Sequence, residues 1–288
     1  MPTRLWRWLK TRSGARDSIC CTRPDASRDD RPHASCAIVT DLLLFLAALA
    51  GGALNAVAGG GSFIALPALM AAGVLPVAAN ATTTFAMWPA SVSSVFAYRR
   101  ELSAARAWLV RLGLVSLIGG LLGGWLLVRT SDARFLRLLP WLMLAAAVTF
   151  TFGGRLAATP PPAQGGRRAH PHLPWWVLAV QLAISIYGGY FGGGMGIMTL
   201  AAFAVAGMTD IHEMNALKVT LAVAINGVAL AEFIANGAVA WRPGLVMVAG
   251  GVVGGYAAAS YARRINPVTI RALVTVVAWV MTIYFFVR

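Results

Sequence analysis

The sequence predicts an all-α integral membrane protein with about eight transmembrane helices in two internal repeats. Hydrophobic residues make up 58% of the 288-residue chain and charged residues only 12%. The mean hydropathy is +0.70, a value that a water-soluble globular domain of this size rarely reaches. No charged residue lies between Asp41 and Arg99, and a run of this kind is long enough for more than one crossing. A soluble fold is therefore excluded.

Eight apolar segments approach or exceed the roughly 20 residues that cross a hydrocarbon core of about 30 Å. They lie at about 40–58, 77–98, 107–128, 134–153, 174–191, 214–235, 243–262 and 268–287. Two further apolar pieces, at about 61–73 and 196–207, are only 12 to 13 residues long, and each follows a glycine cluster. This length favours re-entrant half-helices over complete spans.

Basic residues test the number of crossings, because cytoplasmic loops of membrane proteins carry an excess of Arg and Lys. If the short pieces do not cross, the basic N-terminal segment, the turn with Arg99, Arg100 and Arg106, and the basic linker all face the cytoplasm. If they do cross, the chain has ten spans in two inverted halves of five, and two of these segments face outward. Arg263 and Arg264 fit the eight-span arrangement poorly, so the ten-span alternative stays open.

The chain divides at a linker rich in Pro, Gly and Arg. Residues 1–39 form a basic cytoplasmic tail that is expected to be disordered, 40–153 a first transmembrane repeat, 154–173 the linker and 174–288 a second repeat. A shift of 134 positions places Gly59 and Gly60 on Gly193 and Gly194, and a shift of 131 places GGLLGG (119–124) on GGVVGG (250–255). An internal duplication explains both, and many secondary transporters consist of two such repeats.

The net charge of +14 and the motif content exclude several classes of function. The 24 basic residues serve as topology signals, and no basic-aromatic motif accompanies them, so no nucleic-acid partner is expected. Cys20, Cys21 and Cys36 match no metal or redox spacing, and neither a metal site nor a cofactor is predicted. The sequence has no P-loop, G-x-S-x-G or H-E-x-x-H motif, so we predict neither ATP-driven pumping nor an enzyme.

The glycine clusters GGGS (59–62) and FGGGMG (191–196) predict a ligand site inside the membrane. Non-helical backbone in hydrocarbon is tolerated only where it is buried in protein or lines a watery cavity. A helix that restarts after a glycine break directs its free N–H groups and positive dipole end at the cavity, which suits an anion. The alternative, a seam of small residues for close helix packing, is favoured for GGLLGG and GGVVGG.

Polar side chains follow both short pieces at corresponding places. Lys218 is either a counter-charge for substrate or a side chain that snorkels to the interface from the start of its helix. Asn226 serves either substrate or an interhelical hydrogen bond. Glu232 either carries protons or simply sits near the turn that ends its helix. The predicted substrate-binding residues are Gly59, Gly60, Gly61, Ser62, Thr82, Thr83, Thr84, Gly192, Gly193, Gly194, Gly196, Asn215, Lys218 and Asn226.

Five stretches of the sequence are typical of one known family. The first half contains NAVAGGGSFIALPALMAAGVLP (55–76), and the second contains YGGYFGGGMG (187–196), NALK (215–218), AINGVAL (224–230) and NGAVAWRPGL (236–245). From about Leu44 to its C-terminus the chain resembles the TauE/SafE family of sulfite and organosulfonate exporters. It departs from the family at Asn55 and Gly188, where an acidic residue is common, and at Thr84, where close relatives often carry lysine.

The resemblance implies a multi-pass secondary transporter that exports sulfite or an organosulfonate across a bacterial-type cytoplasmic membrane, with its N-terminus in the cytoplasm. The implied partners are a small anionic solute and membrane lipid, and a homo-oligomer stays open. Two alternatives remain at this point. One is a non-transporting membrane scaffold or assembly subunit, and the other is a transporter of an unrelated small solute.

Overall fold

The computed structural model describes residues 31–97, 106–157, 173–208, 210–261 and 267–287, and within these ranges the chain is helical, with no strand. The helices are α1 (Arg31–Ala58), α2 (Ser62–Ala71), α3 (Pro76–Ala97), α4 (Arg106–Arg129), α5 (Asp132–Ala157), α6 (Trp175–Tyr190), α7 (Met195–Val205), α8 (Ile211–Ala235), α9 (Trp241–Tyr261) and α10 (Pro267–Val287). The chain divides into two compact units, 1–43 and 44–288. The described part of the first unit is the start of α1, and the hydrophobic core lies within the second unit.

Two element boundaries differ from the sequence prediction. α1 begins at Arg31, so residues 31–39, which the sequence assigned to the basic tail, are helical. The apolar run Ala37, Ile38 and Val39 explains the difference, since it continues the helix of the first span. At the other boundary α5 extends to Ala157, a short way into the predicted linker. The remainder of the tail (1–30) and most of the linker (158–172) lie outside the described residues.

The described helices confirm a multi-pass membrane protein. Four of them contain stretches long and apolar enough to cross a membrane, namely Ala37–Asn55, Trp108–Val128, Asp132–Phe152 and Ile211–Ala235. Shorter apolar helices cover Ser62–Ala71, Met195–Val205 and Ala272–Val287. The number of spans, the cytoplasmic membrane and the cytoplasmic N-terminus stay predictions.

The two short pieces predicted after the glycine clusters are separate helices. α2 has 10 residues and α7 has 11. At 1.5 Å per residue they are about 15 Å and 17 Å long, roughly half of a hydrocarbon core. Both are tightly packed, since Phe63, Leu66 and Leu69 of α2 and Phe203 of α7 are fully buried.

The glycines of GGVVGG (250–255) show how α1 and α9 are oriented. A Cβ at Gly250 would collide with the Phe45 carbonyl, and a Cβ at Gly254 would collide with the Leu49 carbonyl. The contacting residue is four positions later on α9 and four positions later on α1, so α1 and α9 run in the same direction. The prediction that this motif is a packing seam is confirmed.

The same helix α9 also runs parallel to α3. A Cβ at Gly244 would lie 2.9 Å from the Phe85 ring, and a Cβ at Gly255 would lie 3.4 Å from Ala90 Cβ. Hence α1 and α3 have the same direction, and α2 with its flanking turns must carry the chain back between them. This differs from the predicted arrangement, in which a non-crossing piece would leave α1 and α3 antiparallel.

The glycines of GGLLGG (119–124) make the corresponding contacts on α4. A Cβ at Gly119 would lie 2.5 Å from Ser185 Cβ, and one at Gly123 would collide with the Ile186 carbonyl, so α4 runs parallel to α6. A Cβ at Gly124 would lie 2.9 Å from Ala229 Cα, so α8 also packs closely against α4. This motif is likewise confirmed as a packing seam.

The two groups of helices run in opposite directions where they meet. Trp88 Nε1 on α3 donates to Val223 O in the middle of α8, at 3.1 Å. Thr82, nearer the start of α3, accepts from the backbone amide of Ala240, just after the end of α8, at 2.9 Å. Advancing along α3 therefore means going back along α8, and the two helices are antiparallel.

We expect Gly123→Ala to lower the free energy of unfolding by about 1–3 kcal/mol, because the new methyl has no space against Ile186. The matched control is Gly113→Ala on the same helix, where a Cβ meets nothing within 4 Å. Helix propensity alone makes that substitution neutral or stabilising. Thermal unfolding of both purified variants in detergent measures the difference, and equal midpoints would contradict the packing seam.

Candidate functional site

A cavity of about 230 Å³ lies between the two glycine breaks and the helices α3 and α8. Its lining includes polar side chains, glycines and small or flexible apolar side chains. The described residues that line it are Asn55, Gly59, Ser62, Thr83, Thr84, Met87, Ala90, Ser91, Gly192, Met195, Gly196, Asn215, Lys218, Val219, Ala222 and Asn226. The elements predicted to form a site are thus brought together, although they lie far apart in the sequence.

The first glycine break needs its three glycines for two different reasons. Gly59 has a positive φ of 78°, which only glycine adopts readily. Gly61 has an ordinary φ of −59°, but a Cβ there would lie 2.5 Å from the Gly51 carbonyl oxygen. At Gly60 a Cβ would meet Val274 at 2.6 Å. The chain therefore leaves helical geometry at Gly59. Gly60 and Gly61 leave room for the close approach of α10 and α1, respectively.

The second break contains two glycines with positive φ, Gly192 at 84° and Gly194 at 83°. The carbonyl of Gly193, between them, accepts a hydrogen bond from the Tyr187 hydroxyl at 2.8 Å. The same hydroxyl lies 3.0 Å from the Leu142 carbonyl on α5. Tyr187 thus satisfies a carbonyl that the helix cannot satisfy at the break.

Both short helices begin at the cavity. Ser62 is the first residue of α2, and Met195 and Gly196 are the first two of α7; all three line the cavity. Neither helix has a side-chain cap. The amides of Phe63 and Ile64 donate to the carbonyls of Gly60 and Gly61, and the amide of Ile197 donates to the carbonyl of Gly194. The amides of Ser62, Met195 and Gly196 make no backbone hydrogen bond of this kind among the described residues and remain available at the cavity. The positive ends of two helix dipoles therefore lie at one cavity.

Lys218 is the one charged side chain among the described residues that line the cavity. Its Nζ donates to Asn215 Oδ1 at 3.0 Å. Its stem lies along the first turn of α7, since a Cβ at Gly196 would be 3.4 Å from Lys218 Cδ. This position in the cavity wall favours the counter-charge interpretation over snorkelling.

The hydroxyl groups on α3 are already engaged as donors. Thr83 donates to Ala79 O at 2.9 Å, and Thr84 donates to Asn80 O at 3.2 Å. Toward the cavity they therefore offer lone pairs, and either hydroxyl must rotate before it can donate to an anion. The Ser62 hydroxyl makes no hydrogen bond to a described residue, which leaves it the better placed hydroxyl donor.

Five of the predicted binding residues lie outside the cavity lining: Gly60, Gly61, Gly193, Gly194 and Thr82. The glycines shape the breaks that border the cavity. Gly194, besides its positive φ, is packed so closely that a Cβ would lie 2.8 Å from Ala146 Cβ. The Thr82 hydroxyl instead accepts from Ala240 N, at the start of α9.

The two alternatives left open on α8 have different outcomes. Asn226 lines the cavity, and its buried Oδ1 has no hydrogen-bond partner among the described residues, so the interhelical bond is not formed through that atom. Glu232 accepts from Asn236 Nδ2 at 3.2 Å, where α8 ends. Its position is that of a helix-end residue.

Sequence reasoning missed seven residues of the lining. They are Asn55, Met87, Ala90, Ser91, Met195, Val219 and Ala222. Helical spacing was the available signal, because Met87 and Ser91 follow Thr84 by three and seven positions and so share its face. The same applies to Ala222, four positions after Lys218.

Lining residues of α3 and α8 recur at a constant spacing along the chain. Four pairs of lining residues are each 135 positions apart in the chain: Thr83 and Lys218, Thr84 and Val219, Met87 and Ala222, and Ser91 and Asn226. Gly59 and Gly192, 133 positions apart, likewise both line it.

Comparisons of the sequence with known proteins identify its family. The sequence model of the family described as Sulfite exporter TauE/SafE matches residues 44–285. A "Probable membrane transporter protein" of Haemophilus influenzae is 29% identical over 243 residues, which cover 83% of this chain and 92% of that protein. "Probable membrane transporter protein YfcA" of Escherichia coli is 28% identical over 242 residues, with 83% and 87% covered.

A third relative, "Probable membrane transporter protein ORF9" of Sinorhizobium sp, is 27% identical over 242 residues, covering 83% of this chain and 90% of its own. No solved structure matches the chain. Because the family match extends over most of the chain, including both glycine breaks and every residue of the cavity lining, the protein is a membrane transporter of the TauE/SafE family.

Proposed function

We propose that this protein exports a small anion, sulfite or an organosulfonate, and that the anion binds in the cavity between α3 and α8. The family description names sulfite, while the names of the relatives say only that they are membrane transporters. The observation that carries the proposal is the lining: one lysine, no carboxylate among the described residues, and two uncapped helix starts.

Together these groups replace the hydration shell of a bound anion. Lys218 neutralises the charge, which a buried anion requires. The Ser62 hydroxyl and the amides of Ser62, Met195 and Gly196 donate hydrogen bonds, as helix N-termini do at many anion sites. The Asn215 side chain holds the Lys218 ammonium at 3.0 Å and so positions it.

The helix directions support two inverted halves, α1–α5 and α6–α10. α1, α3 and α9 run one way, and α4, α6 and α8 run the other, so α1, α3 and α4 each oppose their counterparts α6, α8 and α9. This arrangement is the ten-segment alternative, in which α2 and α7 carry the chain back. It also explains why the cavity is lined by equivalent residues, and transporters of this construction hold substrate where the two halves meet.

Two asparagines that the proposed repeat makes equivalent have different contacts, and we interpret this difference as one state of an alternating-access cycle. Asn80 is 1% exposed, and its Nδ2 donates at 2.9 Å to the carbonyl of Tyr190, the last residue of α6. Asn215, 135 positions later, is partly exposed and donates to Ile211 O in its own helix. The proposed cycle exchanges these states: Asn80 seals one side here, and Asn215 makes the equivalent contact with the end of α1 in the opposite state.

The first test is anion flux in proteoliposomes with labelled sulfite. We expect Lys218→Gln to lower the flux by about tenfold or more, because a hydrogen bond to a charged group contributes about 1.5–3 kcal/mol. Lys218→Arg, which keeps the charge, should retain more flux than Lys218→Gln. Glu232→Gln serves as the control, since Glu232 is on the same helix but outside the cavity lining. Undiminished flux in Lys218→Gln would refute the site, and no flux above protein-free liposomes would favour the scaffold alternative.

The second test concerns Asn80. A cysteine at Thr83, in a chain whose Cys20, Cys21 and Cys36 are replaced by Ser, reports access to the cavity. With an impermeant thiol reagent applied from the side of Asn80, we expect Asn80→Ala to raise the labelling rate severalfold, because the contact with Tyr190 is lost. Asn236→Ala, which removes an exposed asparagine, should leave the rate unchanged. An unchanged rate in Asn80→Ala would contradict the seal.

A further inference from the structure

We infer that the cavity selects a monovalent organic anion with a short apolar substituent, and discriminates against the same anion when the substituent carries an ammonium group. This inference rests on the proposed anion transport and names the substrate class of that site. It is carried by what the cavity contains besides its donors. The described lining carries charge of one sign only, and part of the lining is apolar.

The charges of the lining are all of one sign. Lys218 and the positive ends of α2 and α7 meet at the cavity, and no described lining residue carries a carboxylate. An ammonium group on the ligand would be taken out of water with no anion of the protein to pair with, in the presence of a second cation. A zwitterion is therefore penalised relative to a simple anion.

Neutral acceptors do not remove this penalty. Thr83 and Thr84 offer lone pairs to the cavity because their hydrogens are donated to backbone carbonyls. Ser91 donates to Met87 O at 3.1 Å and accepts from Asn55 at 3.2 Å. These hydroxyls can accept a hydrogen bond from a ligand, but they carry no charge to balance an ammonium group.

A second acidic group on the ligand is also unfavourable in this cavity. One ammonium side chain balances one negative charge, and the described lining offers no further cation. A ligand with two separated negative charges must leave one of them without a cationic side chain of the described lining to pair with.

Five apolar side chains also line the cavity, and we call them the apolar wall. Met87 and Ala90 of α3, Met195 of α7, and Val219 and Ala222 of α8 contribute to it. A cavity of about 230 Å³ is smaller than typical pockets for drug-sized molecules, which restricts the substituent to a few heavy atoms. Methionine side chains adapt to such substituents because they are flexible and polarisable.

The test uses the purified full-length protein and four matched sulfonates. Methanesulfonate and ethanesulfonate differ by one methylene. 2-Aminoethanesulfonate is ethanesulfonate with an added ammonium group, and sulfoacetate is methanesulfonate with an added carboxylate. With sulfite as reference, we expect ethanesulfonate to bind at least tenfold more tightly than 2-aminoethanesulfonate or sulfoacetate. It should bind roughly fourfold more tightly than methanesulfonate, as burial of one methylene predicts.

A carboxylate placed in the cavity should change this order. Ser91→Asp is expected to reduce the preference for ethanesulfonate over 2-aminoethanesulfonate at least fivefold, while Ser91→Asn, of the same shape and neutral, keeps it. If Ser91→Asp does not fold, the pair Thr84→Asp and Thr84→Asn makes the same comparison from the neighbouring turn.

The possible results separate this inference from the proposed function. If sulfite binds but 2-aminoethanesulfonate binds within threefold of ethanesulfonate, the inferred selectivity is wrong and anion transport stands. If sulfite binds and no alkanesulfonate does, the apolar wall has no role and the inference also fails. If none of the five anions binds, both the inference and the proposed function are overturned.

Discussion

A backbone that leaves helical geometry inside a hydrocarbon layer must find hydrogen-bond partners within the protein, and this constraint organises the molecule. The two glycine breaks satisfy it by burial between helices that approach unusually closely. The glycines at 119–124 and 250–255 make that approach possible, and Tyr187 provides a donor for the carbonyl of Gly193. Without these contacts neither α2 nor α7 could begin where it does, and the cavity between their first turns would not exist.

The sequence allowed the breaks to be predicted because their residues are chemically anomalous in an apolar chain. Three consecutive glycines, a lysine at position 218 and an asparagine at position 226 each carry a cost in hydrocarbon that a packing role alone does not explain. All of these features lie at or next to the cavity. The packing role of GGLLGG and GGVVGG followed from the same logic, because small residues permit close helix approach.

Other features could not be obtained from local patterns. The direction of α3 relative to α1 depends on both helices packing against α9, some two hundred positions away in the chain. The same limitation applies to the glycines of the first break: Gly59 needs its positive φ, whereas Gly61 needs only space against Gly51, and the letters GGG do not distinguish them. Thr82 and Thr83 are adjacent threonines, yet one bonds to the start of α9 and the other lines the cavity.

The shortness of α2 has a consequence for how the protein is made. A helix of 10 residues is too short to be recognised as a span by its own hydrophobicity. Its buried residues Phe63, Leu66 and Leu69 have their partners in other helices. The insertion of α2 must therefore depend on its neighbours rather than on its own hydrophobicity. Because those neighbours include Phe150 of α5 and the last helix, α10, the packing around α2 can be completed only after the second half has been synthesised.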